Sequence, residues 1–136
     1  MPRRDGIFAL LATGVVLVAV VIGFLNLGSP SGQRQAAADR ARVDDLRSVA
    51  GELHTRWKNE LPSSLGKLGA APGGRPLRIT DPVTKQPYEY RLREGTVYEI
   101  CATFATDSHR PDGAPSFWDH PKGHHCYVLD SIRRPE

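Results

Sequence analysis

The pattern of polar and apolar positions changes period along the chain, and each change predicts an element. Residues 7–27, IFALLATGVVLVAVVIGFLNL, form an apolar run without a single charge. As a helix this run spans about 31 Å, the hydrocarbon thickness of a bilayer. Residues 28–33 are small and uncharged and predict a flexible linker. Over 33–59 the apolar positions Val43, Leu46, Ala50, Leu53 and Trp57 recur at steps of three and four, with Ala36 on the same stripe. That spacing predicts one long amphipathic helix, interrupted on its apolar stripe by Asp39, with Arg40, Asp44, Arg47, Glu52 and Lys58 on the polar face. Pro62 stops it, because a residue before proline is pushed out of the helical region.

Residues 63–68 predict one more helical turn, with Leu65 and Leu68 covering the core, and 69–76 (GAAPGGRP) a loop. The period then falls to two. Tyr88, Tyr90 and Leu92 alternate with Glu89, Arg91 and Arg93, as in a strand with one buried face. Glu94-Gly95-Thr96 supplies a turn. Residues 97–106 continue as a strand with Tyr98, Ile100, Ala102 and Phe104 on one face and Val97, Cys101 and Ala105 on the other. After a polar loop at 107–116, residues 126–130 predict a third strand, with Tyr127 and Leu129 facing opposite to Cys126 and Val128. The expected fold class is α+β: an N-terminal transmembrane helix and a long amphipathic helix packed on a three- to four-stranded antiparallel sheet. The expected segments are a cytoplasmic N-terminus (1–6), the span (7–27), the linker (28–33), the domain (34–131) and a disordered tail (132–136).

An apolar N-terminal helix running into an amphipathic helix and a small antiparallel sheet resembles a type IV pilin. Leu61-Pro62 with Leu65 and Leu68, then Asp81-Pro82-Val83-Thr84-Lys85-Gln86-Pro87-Tyr88-Glu89-Tyr90-Arg91 and Gly95, resembles the Asp-Pro…Pro-Tyr-x-Tyr stretch of the major pseudopilin of type II secretion. The resemblance implies a pilin-like extracytoplasmic domain and partners among pilin-like or secretion-apparatus proteins. Met1 to Gly6 imitates a prepilin leader, with Ile7 after the cleavage point. Prepilins carry Glu at the fifth position of the helix, where this chain has Leu11. Asp107 and Asp112 fall near the place of the pseudopilin calcium loop without the further acids of a six- to eight-oxygen site. These departures point to a minor or non-assembling relative.

Composition narrows the function classes. The chain has 136 residues, and about 110 remain after the apolar run, enough for one modest core. Eighteen basic against fifteen acidic residues leave a net charge of +3, too small a surplus to argue for nucleic acid. Arg3 and Arg4 precede the apolar run, while Arg34, Arg40, Arg42 and Arg47 follow it beyond an uncharged gap. We therefore expect a single-pass anchor in the cytoplasmic membrane, N-terminus inside, with the domain in the periplasm or outside the cell. A cleaved secretory signal has a shorter apolar region, roughly 7–15 residues. The lipid bilayer is thus an expected partner.

Candidate chemistry is sparse. The sequence has no Gly-rich phosphate loop, G-x-S-x-G, H-E-x-x-H or C-x-x-C, so neither an enzyme nor a cofactor is expected. Cys101 and Cys126 fall on equivalent faces of predicted strands and are expected to form a disulfide, which persists in an oxidising compartment. The alternative is a zinc or copper site in the cluster 120–126, using His120, His124 and Cys126. His124 and His125, adjacent on a strand, would point to opposite faces. Trp118 beside Phe117 is expected to plug the core, and Arg78, Lys85, Arg91 and Arg93 to form a solvated basic rim. The expected packing residues are Val43, Leu46, Leu53, Trp57, Asp81, Tyr88 and Tyr90.

Overall fold

The apolar run folds as helix α1, Pro2–Asn26, in a computed structural model that describes residues 2–26, 29–69, 76–109 and 113–133. The chain divides into two units, Met1–Arg34 and Gln35–Glu136. In the first, Gly6–Phe24 is long and apolar enough to cross a membrane, with a mean hydropathy of 2.8 and none of it buried. Helix α1 begins at Pro2, so the segment before Ile7 is helical as well.

Helix α2, Pro30–Arg56, starts before the predicted Gln33 and takes up most of the expected linker. The reason is local. Ser29 Oγ accepts a hydrogen bond from the Gly32 amide at 3.1 Å, and Pro30 sits at the first helical position, where its missing N–H costs nothing. The helix also ends earlier than the predicted Asn59. The Trp57 amide bonds the Leu53 carbonyl at 3.0 Å, and the Lys58 carbonyl lies beyond the helix end. It accepts from the Oγ of fully buried Ser131 at 2.8 Å.

Along α2 the residues Val43, Leu46, Val49, Ala50 and Leu53 are buried in one cluster with Leu65 and Leu68, Tyr88, the inward face of the sheet (Tyr98, Ile100, Ala102, Phe104) and Tyr127 and Leu129. Trp57, Tyr90, Phe117 and Trp118 pack on its margin. The turn predicted over 63–68 forms as a short helix, α3, Gly66–Gly69, with Leu65 just before it and Leu68 within it. The sheet has three strands, β1 (Glu89–Leu92), β2 (Val97–Phe104) and β3 (Gly123–Asp130), antiparallel in the order β1-β2-β3. Among the described residues a single isolated bridge, Thr80 to Pro87, stands where a fourth strand was allowed for. Gly95 turns β1 into β2 at φ +63°, a conformation that glycine adopts without a side-chain clash.

Three details differ from the sequence pattern. Leu92, predicted to face the core, is 47% exposed, because it stands opposite Tyr98 at the end of the edge strand. Strand β3 begins at Gly123 rather than Cys126, since His124 and His125 pair with Thr103 and Ala102. At 132 and 133, within the expected tail, the Ile132 amide bonds Asp130 Oδ1 and the Arg133 amide the Asp130 carbonyl. Leu27, Gly28, most of the 69–76 loop, Asp112 and residues 134–136 lie outside the described residues.

Candidate functional site

Strand alternation sorts the chemistry of the sheet onto two faces. With Tyr98, Ile100, Ala102 and Phe104 turned to the core, the odd positions of β2 point away from it. Glu89 pairs with Cys101, Cys101 with Cys126 and Thr103 with His124, so Glu89, Cys101, Cys126 and His124 meet on that outer face. The Sγ atoms of Cys101 and Cys126 are 2.11 Å apart, at disulfide distance, and the Cα atoms 4.0 Å apart. His124 Nδ1 lies 3.9 Å from Cys126 Sγ, and its Nε2 lies 3.0 Å from Glu89 Oε1. A cleft of about 430 Å³, lined by Gln86, Pro87, Glu89, Cys101, Thr103 and His124 among others, opens beside the group.

His120 does not join this group. It is buried, its ring stacked on Phe104 at 3.7 Å and 13°, on the core side of the sheet. The expected set of His120, His124 and Cys126 is therefore divided between the two faces. The set that is brought together is Cys101, His124 and Cys126, whose ligand atoms all lie within 4.8 Å of one another. His125 turns inward as alternation requires and meets Tyr127 edge-on at 4.8 Å. Burial, aided by the charges of His120 and His124, lowers its pKa.

A second polar cluster links α2 to the turn before β1. Asp39, the residue that interrupts the apolar stripe, is 2% exposed. It accepts hydrogen bonds from the Ala105 amide (3.0 Å), the Thr106 amide (2.8 Å) and the Thr106 hydroxyl (2.6 Å). This ends β2 at Phe104 instead of the predicted Thr106, because the last amides bond to a side chain and not to a neighbouring strand. Arg42 donates to Asp39 at 2.6 Å and, through Nε and Nη2, to Asp81. Asp81 also accepts from the amides of Val83 and Thr84, each at 2.8 Å. Burial opposes ionisation of both acids, yet the hydrogen bonds outweigh it. Asp39 is held below the usual carboxylate range and Asp81 is brought down to about 2. The hydrogen bond to Asp81 raises the Arg42 pKa in turn.

Asp81, expected among the packing residues, is buried in this polar cluster, and Asp39 and Arg42 were not singled out as its partners from the sequence. The available signal was an acid and a base three apart on the buried side of a helix. Tyr88 is buried and donates to Asp45 Oδ2 at 3.1 Å. Two members of the expected basic rim are paired: Arg91 with Glu89 at 2.9 Å and Arg93 with Glu99 at 2.7 Å. Ser108 is engaged by the backbone of His120, donating and accepting, and the His109 amide bonds Asp107. Trp118 packs against Tyr127 at 4.9 Å, with the Arg47 guanidinium 5.6 Å from its ring centre. A comparison of the chain with protein-family models, curated proteins and solved structures finds no match.

Proposed function

We propose that this chain is a single-pass, membrane-anchored, pilin-like structural or interaction module, with its N-terminus in the cytoplasm and its sheet domain on the far side of the cytoplasmic membrane. The observation that carries the reading is the order of parts: an exposed apolar helix, then a long helix whose buried stripe covers a small antiparallel sheet. Two cysteines at disulfide distance favour an oxidising compartment for that sheet. Leu11 at the position of the pilin glutamate favours a subunit that does not build the body of a filament, since a buried intramembrane carboxylate is kept only for a partner. Its partners would be other pilin-like or secretion-apparatus proteins.

The test uses the full chain in intact cells. Protease added to spheroplasts is expected to digest the sheet domain, and mechanical shearing to leave the chain in the membrane fraction. A domain protected from outside protease overturns the orientation. Recovery in sheared filaments overturns the non-assembling role.

A further inference from the structure

We infer that Cys101, Cys126 and His124 form a binding site for a thiophilic d¹⁰ metal ion, of which Zn²⁺ is the type, whenever a dithiol opens the bond between the two sulfurs. The register holds the site ready. Cys101 and Cys126 are directly opposed within an eight-pair ladder, so the strands keep their side chains adjacent whether or not the sulfurs are joined. His124 lies two residues before Cys126 and so on the same face.

The orientation of His124 is the second observation. With Nε2 held on the Glu89 carboxylate at 3.0 Å, the other ring nitrogen, Nδ1, faces the sulfur of Cys126 at 3.9 Å. A carboxylate behind the imidazole fixes the tautomer with its lone pair toward the ion and raises its basicity, as in carboxylate–histidine–zinc arrangements. The distance from His124 Nδ1 to Cys126 Sγ suits a shared ion. Tetrahedral Zn²⁺ with bonds of about 2.3 Å to sulfur and about 2.05 Å to nitrogen sets S···N near ~3.6 Å and S···S near ~3.8 Å. The S···N separation is already close, and side-chain rotation after reduction must part the sulfurs. The adjoining cleft gives an ion access and leaves room for a water as the fourth ligand.

The steps balance. The dithiol gives two electrons and two protons to the Cys101–Cys126 pair and leaves as its own cyclic disulfide. Zn²⁺ then replaces the two thiol protons, so two protons are released per ion and affinity rises with pH. His120 takes no part, since it lies on the opposite face.

The test is made on the full chain in detergent micelles, reduced with a dithiol that is then removed under argon, with Co²⁺ as the spectroscopic probe and Zn²⁺ as competitor. One cobalt per chain with a thiolate-to-cobalt charge-transfer band is expected in the reduced protein and none in the oxidised. His124→Ala and Glu89→Gln should each weaken binding about 10- to 100-fold. No band in the reduced chain overturns the inference, as does unchanged affinity in His124→Ala or Cys126→Ser. If reduction unfolds the sheet by circular dichroism, Zn²⁺ must restore it, because metal binding then supplies folding free energy. Failure to refold with Zn²⁺ counts equally against the site.

Discussion

Asp39, Arg42 and Asp81 form a buried cluster whose two acids tie stability to pH. Both acids have folded-state pKa values below the unfolded one, Asp81 at about 2 against an ordinary value near 3.8. Their contribution is therefore complete above the unfolded pKa and lost as pH falls through the folded one, which for Asp81 places the loss between about pH 4 and 2. For Asp81 the shift corresponds to about 2 kcal/mol. Asp81→Asn should cost roughly 3 kcal/mol at neutral pH, because it removes one partner of a buried pair. It should also flatten the stability profile below pH 4. Urea unfolding at pH 7 and pH 3 checks both; an equal loss at the two values would dissociate Asp81 from the acid response. These residues were only half legible in the sequence. Asp81 stands in a turn motif that announces itself, whereas Asp39 read as a break in the stripe, and Arg42 carried no sign of the turn 39 residues away that it holds.

Element existence followed from periodicity; element ends followed from hydrogen bonds that periodicity does not see. The stripe on α2 predicted its buried face, and Leu46 and Leu53 are fully buried. Leu53→Ala should cost about 2–5 kcal/mol. Leu92 satisfies the same alternation rule and is half exposed at a sheet edge, so Leu92→Ala should change stability by less than about 0.5 kcal/mol. A thermal melt of the two variants separates buried from merely patterned leucines, and equal losses would contradict the edge position. Beyond the end of α2 the Lys58 carbonyl is held by Ser131. Ser131→Ala leaves the Lys58 carbonyl without its acceptor role filled and should cost about 1–3 kcal/mol, whereas Ser131→Thr, which keeps the hydroxyl, should cost less. The sheet face assignments were legible because the period of two is rigid. The grouping of Glu89 with Cys101 and His124 was not, because it depends on register, and register came only with the folded strands.

At the scale of the whole molecule the solvent decides. Phe8, Leu10 and Phe24 are 69%, 75% and 74% exposed, and an apolar surface of this extent is stable only when something apolar covers it. If that cover is a bilayer, the 19-residue span is retained by the transfer free energy of its side chains. Two arginines at Leu11 and Val18 add roughly 3 kcal/mol each near the centre of the span, about 6 kcal/mol in all. The unaltered chain should then stay in the membrane pellet through an alkaline carbonate wash, and the Leu11→Arg, Val18→Arg chain should be lost from it. The sheet domain serves as the internal control. The Cys101–Cys126 link closes a 25-residue separation and should stabilise the domain by about 3 kcal/mol in the chain-entropy model, so reductant should lower its melting temperature by roughly 10–20 °C. That drop should be the same in the washed membrane protein and in the doubly substituted chain, since both substitutions lie in the Met1–Arg34 unit and the disulfide in the other. Release of the unaltered chain by carbonate would remove the membrane from the account of α1 while leaving the disulfide prediction standing.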